Sequence, residues 1–159
     1  MAHLSADPRG LILACPSCSQ ANRLVYRQWD AVIRCGRCKE ELRRPAAVVE
    51  VADPRSFRAL VADVPRPVFV DFWAPWCGPC RSVAPEVERL AGLMDGEAVI
   101  VKVDTEALPG LASEHRIQSI PTFVVFHRGS EVARTSGALP ATRLKRFIEQ
   151  SIPGPSVFP

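Results

Sequence analysis

Six cysteines stand in three C-x-x-C pairs, Cys15/Cys18, Cys35/Cys38 and Cys77/Cys80, and two of these pairs fall within the first 45 residues. A segment that short and that poor in aliphatic residues buries too little apolar surface to fold unaided, so a metal, disulfides or a partner surface must hold it. The chain opens Met1-Ala2-His3-Leu4 without a basic, apolar leader, and Leu11-Ile12-Leu13-Ala14 is too short to direct export or span a bilayer. The expected compartment is therefore a reducing cytosol, with no membrane partner. There, closely paired cysteines bind metal or carry out redox chemistry rather than form structural disulfides.

Cys15-Pro16-Ser17-Cys18 and Cys35-Gly36-Arg37-Cys38 are separated by 16 residues, within the spacing of a tetrahedral zinc site built from two knuckles. Four thiolates leave no open coordination position, so the one Zn2+ expected there is structural rather than hydrolytic. Two disulfides or two further redox pairs are the competing reading. Neither pair, however, is preceded by a buried strand with a helix following, the setting that makes a C-x-x-C reactive. Residues 1–45 carry eight Lys and Arg against four Asp and Glu, a net +4, which raises the question of nucleic acid. A zinc tetrathiolate adds −2, Arg34, Arg37 and Lys39 flank it as counter-charges, and Tyr26 and Trp29 are as well explained by packing as by stacking. Nucleic acid is not an expected partner.

Beyond the solvated Arg43-Arg44-Pro45 linker, the pattern alternates. Strands are expected at 48–51, 68–73, 98–103, 123–126 and 132–135. Helices are expected at 53–61, 77–93, 108–115 and 140–151, the second kinked by Pro85. The order β-α-β-α-β-α-β-β-α gives an α/β domain: a mixed five-stranded sheet, parallel first and antiparallel last, flanked by four helices. The expected divisions are a zinc-ribbon-like module at 1–45, the α/β domain at 46–152 and a Pro-rich tail at 153–159.

Trp76-Cys77-Gly78-Pro79-Cys80 joins a buried strand to a helix start, so Cys77 meets unpaired backbone N–H groups and the positive end of the helix dipole. Those favour its thiolate, the nucleophile of disulfide exchange, and Cys80 one turn on can resolve the mixed disulfide. Asp71, alone among apolar residues of the preceding strand, is the candidate proton acceptor for Cys80, and Lys102 in the neighbouring strand is its counter-charge. Trp76, beside the nucleophile, belongs to the contact surface. His3, His115 and His127 lack ligand or nucleophile spacing, and no glycine-rich nucleotide loop is present.

The block Val70-Asp71-Phe72-Trp73-Ala74-Pro75-Trp76-Cys77-Gly78-Pro79-Cys80-Arg81 resembles the active site of thioredoxins. Ile120-Pro121-Thr122 is similar to the family's cis-proline segment; Pro85, Lys102, Gly129 and Gly137 match as well. With the four N-terminal cysteines, the whole chain is similar to the second, zinc-binding type of bacterial thioredoxin, also called thioredoxin C. The resemblance implies a thioredoxin fold and a monomeric cytoplasmic enzyme that reduces protein disulfides. It implies re-reduction by an NADPH-dependent thioredoxin reductase, and a substrate surface that includes Trp76, Gly78, Pro79, Ile120, Pro121 and Gly137. Ser136 departs from the pattern, since the family places an aliphatic residue there, and implies a more polar rim. The alternative is a redox-responsive zinc-ribbon binding or sensor module fused to a thioredoxin domain.

Overall fold

The computed structural model describes residues 4–44 and 46–154. His3, Pro45 of the expected linker and residues 155–159 of the expected tail lie outside the described residues. The N-terminal segment begins with three antiparallel strands, β1 (Leu4–Asp7), β2 (Gly10–Ala14) and β3 (Ala21–Val25), followed by a single 3-10 turn at Tyr26–Gln28. Leu11 and Leu13 alternate along β2 and face the same way as Leu24; together with Tyr26 and Trp29 they are buried. The Tyr26 hydroxyl donates to the Asp7 carbonyl at 2.7 Å, which offsets the cost of burying the phenol. A separate hairpin, β4 (Ile33–Arg34) with β5 (Glu41–Leu42), forms the second knuckle.

The apolar shortage of this segment is met by sharing. β1 pairs in parallel with β6 (Val49–Glu50), Leu4 opposite Val49 and Ser5 opposite Glu50. Leu11, Leu13, Leu24, Tyr26 and Trp29 then join Val49, Val51, Phe57, Leu60 and Val101 in one continuous core. The two expected parts thus meet at neighbouring strands of one sheet, β1 and β6. The alternation of Leu11 and Leu13 already specifies a half-buried strand, but what it buries against lies some forty residues further along the chain.

The remaining elements are α1 (Pro54–Asp63), β7 (Val68–Trp73), α2 (Gly78–Leu93), β8 (Val99–Asp104), α3 (Pro109–Glu114), β9 (Thr122–His127), β10 (Ser130–Ser136) and α4 (Ala141–Ser151). Together with β6 they form the expected four helices and five strands of a thioredoxin fold. The N-terminal strands extend that sheet to eight, in the order β10-β9-β7-β8-β6-β1-β2-β3. β7 lies parallel to β8 and antiparallel to β9, and β9 and β10 form a hairpin through Arg128 and Gly129, both at positive φ. Two positive-φ residues in succession match the twist of the flanking strands.

Side-chain alternation decides the two faces. Val68, Val70 and Phe72 of β7 face Phe57 and Leu60 of α1 and Leu111 of α3. Phe69 faces Val83, Val87 and Leu90 of α2 and Leu144 and Ile148 of α4. Asp71, two residues after Phe69, therefore points to the α2 face, as does Lys102, two after Ile100 of β8. α1 starts where the sequence signals: the Asp53 carboxylate accepts from the Ser56 N–H at 2.9 Å with Pro54 at the first helical position, a cap worth about 1 kcal/mol.

Candidate active site and cysteine cluster

The apolar run of β7 ends at Trp73, and the chain turns directly into α2. Cys77 is the N-cap, in extended conformation, and its Sγ accepts from the Cys80 N–H at 3.2 Å. The sulfur thus occupies the position that a Ser or Asp oxygen fills at other helix starts. Cys77 and Cys80 are disulfide-bonded and buried, packed with Ala74, Trp73 and Ile120. Once the disulfide is reduced, the same N–H and the helix dipole stabilise a Cys77 thiolate over its thiol.

Asp71 lies on the α2 face of β7, 1 % exposed, and neither carboxylate oxygen has a hydrogen-bond partner among the described residues. Burial pushes this carboxyl up to about 7, against the opposing pull of the Lys102 ammonium. Lys102 is Asp71's register partner in β8, and its Nζ sits 4.4 Å from the centre of the Trp73 ring, within cation–π range. A carboxyl that titrates near neutrality on the sheet face that α2 covers suits a group that takes up and gives back a proton.

The loop before β9 supplies the opposite wall. The Ile120–Pro121 peptide bond is cis, and the Ile120 carbonyl oxygen lies 3.8 Å from the Cys77 sulfur. The Gly137 N–H donates to the Pro121 carbonyl at 3.0 Å, and its φ of 91° is one that side chains other than glycine's rarely tolerate. Thr122, buried, donates to the Ser119 carbonyl at 2.6 Å and lies 3.2 Å, oxygen to oxygen, from the exposed Ser136 hydroxyl. Trp76 is 66 % exposed, yet its indole N–H is anchored to Glu106 at 2.7 Å. Gly78 and Pro79 form the first turn of α2. Expected site residues from four separate stretches of chain thus converge on one end of the sheet. Glu106 was not singled out from sequence, since nothing in its local pattern distinguishes it from a solvated acid.

At the other end of the molecule, the sulfurs of Cys15, Cys18, Cys35 and Cys38 all lie within 4.8 Å of one another. Cys15 is 3.6 Å from Cys38, and Cys18 is 3.6 Å from Cys35. A tetrahedron with metal–sulfur bonds of about 2.3 Å has edges of about 3.8 Å, so this donor set fits a zinc ion.

The two knuckles repeat one backbone design. The Cys15 N–H donates to Gln20 at 2.9 Å and the Ser19 N–H back to Cys15 at 2.8 Å; Cys35 to Glu40 and Lys39 to Cys35 do the same at 2.8 and 3.0 Å. Ser19 and Lys39 both adopt positive φ. Asn22 ties the knuckles together: its amide accepts from the Gly36 N–H at 2.9 Å and reaches the Cys35 sulfur at 3.6 Å.

Backbone N–H groups of Cys38 and Arg37 hold the Cys35 thiol down to about 6. The Glu40 N–H favours the Cys38 thiolate, but partial loss of solvent around the sulfur and the surrounding sulfurs of Cys15, Cys18 and Cys35 outweigh it and push that thiol up to about 12. Four thiolates so close together need a cation to coexist. Asn22 is a second contributor that sequence spacing did not reveal.

The thioredoxin family model matches residues 48–150. Thioredoxin C-3 of Corynebacterium nephridii is 34% identical over 142 residues, covering 89% of this chain and 96% of that protein. Only 112 residues run from position 48 to the end, so at least 30 of those matched residues precede it. Thioredoxin 1 of Nostoc sp. is 44% identical over 107 residues, 67% of this chain and 99% of its own. Among solved structures, a mutant thioredoxin from Halobacterium salinarum superposes with a TM-score of 0.63 at 32% identity, covering 69% of this chain and 95% of that one. Among the described residues, no helix is long and apolar enough to cross a membrane.

Proposed function

This chain belongs to the thioredoxin family of protein-disulfide oxidoreductases, and on that premise we propose that it reduces protein disulfides through Cys77 and Cys80, with a structural zinc ion held by its N-terminal cysteines. The observation that carries the redox assignment is the Cys77 sulfur capping α2 while bonded to Cys80. In the reduced protein the Cys77 thiolate attacks one sulfur of a substrate disulfide; a mixed disulfide forms and the other substrate sulfur leaves as a thiolate. Cys80 gives its proton to the Asp71 carboxylate and attacks the Cys77 sulfur. The second substrate thiol is released, and the enzyme is left with the Cys77–Cys80 disulfide. Lys102 steadies the ionised form of Asp71. Trp76, Gly78, Pro79, Ile120, Pro121 and Gly137 form the substrate surface. Two electrons from an NADPH-dependent thioredoxin reductase restore the dithiol.

Cys15, Cys18, Cys35 and Cys38 would hold the zinc ion, which supplies a closed cross-link between the β2–β3 and β4–β5 hairpins. The spacing of the sulfurs and the repeated knuckle backbone support this reading. The match to thioredoxin C-3 across the N-terminal segment supports membership of the second, zinc-binding type. Residues 1–45 then act as the zinc-ribbon module, 46–152 as the thioredoxin domain and 153–159 as a tail, in a monomer of the reducing cytosol. Insulin reduction by the full chain tests the redox assignment: Cys77→Ser is expected to abolish it, and a Cys77→Ser protein of normal activity contradicts it.

A second reading rests on the exposure of Cys38 and its approach to Cys15. Oxidation of two cluster thiolates to a disulfide by peroxide would release the ion and make the ribbon a redox sensor. Zinc release during a peroxide titration supports it; zinc retained after full peroxide exposure removes it.

A further inference from the structure

The hydroxyls of Thr122 and Ser136 face each other at 3.2 Å, a geometry in which either could donate. A third group decides the direction. Thr122 Oγ1 lies 2.6 Å from the Ser119 carbonyl oxygen. A carbonyl only accepts, so the single hydroxyl proton of Thr122 is committed to Ser119. Toward Ser136, Thr122 therefore offers a lone pair, and the Ser136 proton is the one in the bond. The buried threonine thus orients the exposed serine: its proton points inward, and both of its lone pairs remain for an outside partner.

Ser136 is the last residue of β10, directly opposite Thr122 in the register. The next residue, Gly137, is fastened by its N–H to the Pro121 carbonyl at 3.0 Å, and the residue before Pro121 touches the Cys77 sulfur through its carbonyl at 3.8 Å. The oriented hydroxyl therefore stands on the rim that a chain must pass to bring a disulfide to Cys77.

We propose that Ser136, oriented by Thr122, presents an acceptor-only hydroxyl to bound substrate and selects disulfides flanked by a side chain with a hydrogen-bond donor, such as Gln, Asn or Lys. This rests on the disulfide-reductase reading and deepens it by naming a substrate class. A donor gains a hydrogen bond at the rim. An acceptor such as Glu meets lone pairs, or must turn the serine outward and break its bond to Thr122. The selectivity is that of one exposed hydrogen bond, roughly three- to tenfold in kcat/KM.

The probe is a set of peptides whose single cysteine carries a thionitrobenzoate disulfide, with Gln, Met or Glu at each of the two positions on either side. Reduction by the Cys77/Cys80 dithiol releases the peptide thiol and coloured thionitrobenzoate, leaving the enzyme disulfide. Wild-type protein is expected to prefer Gln over isosteric Met at one of these positions, and Ser136→Ala to bring that ratio close to one. Thr122→Val keeps the serine but frees its proton, so it is expected to retain the preference for Gln over Met while improving Glu. Gln:Met ratios identical in wild type and Ser136→Ala at every position, with insulin still reduced, overturn the proposal alone. Failure of the wild type to reduce either peptides or insulin overturns the reductase reading and the selectivity with it.

Discussion

Asp71 and Lys102 are direct partners across the parallel pair β7 and β8, and both point to the sheet face that α2 covers. The carboxyl is buried without a hydrogen bond among the described residues, while the ammonium is drawn over the Trp73 ring. An acid so placed costs stability whenever it ionises. With its pKa raised from 3.8 to about 7, the folded state holds the Asp71 proton over a range in which the unfolded chain has lost it. Stability therefore falls as pH rises from about 4 to about 7, and the deficit stays constant above that, on the order of 4 kcal/mol in full. Asp71→Asn is expected to remove this slope, making the oxidised protein more stable than wild type at pH 8 and little different at pH 4. Denaturant unfolding at the two pH values measures it. The same variant should slow substrate reduction, because Cys80 would lose the proton acceptor proposed for it.

Lys102→Gln removes the one charge that opposes the rise. The Asp71 carboxyl should then titrate above its wild-type value of about 7, and the pH dependence of substrate reduction should move in the alkaline direction. Carbon-13 NMR of the Asp71 carboxyl reads the shift directly; an unmoved titration means that Lys102 does not act on this group.

The shared core predicts that the N-terminal segment and the rest of the chain unfold together. Leu13→Ala, in the ribbon hairpin but 3 % exposed within the main core, is expected to cost about 2–5 kcal/mol. Removal of zinc by a strong chelator should likewise lower one common transition. Circular dichroism and tryptophan fluorescence followed together test this. Two separate transitions, with the later one unmoved by Leu13→Ala, would show that the ribbon folds independently.

Trp76 combines 66 % exposure with an indole anchored to Glu106. Trp76→Ala should leave stability within about 0.5 kcal/mol, as expected for a surface change, while raising KM for protein disulfides severalfold. Glu106→Ala, which frees the ring without removing it, should raise KM by less. Equal kinetics in all three proteins would remove Trp76 from the substrate surface.

The α/β order, the placing of Cys77 and Cys80 at a helix start and the clustering of the four N-terminal cysteines were legible in the sequence because each rests on local signals. Asp53-Pro54 marks a helix start, continuous apolar residues mark β7, and Cys-x-x-Cys marks a knuckle. What was not legible depends on partners distant in the chain. Leu11 and Leu13 alternate as a strand should, but nothing local says that they pack with Phe57 and Val101 or that β1 pairs with β6. Asn22 bridging to Gly36, and Glu106 holding Trp76, are likewise ordinary polar residues until the fold brings their partners to them. Ser136 stood out only as a polar residue on an apolar rim; the direction of its proton needed the Ser119 carbonyl.

The division of labour among the six cysteines is tested most directly by counting zinc and mapping thiols in the same sample before and after oxidation by a protein disulfide. One zinc per chain retained throughout, with the two lost thiols located by mass spectrometry at Cys77 and Cys80, is the predicted result. Loss of zinc together with thiols at Cys15, Cys18, Cys35 or Cys38, while Cys77 and Cys80 remain reduced, would contradict it.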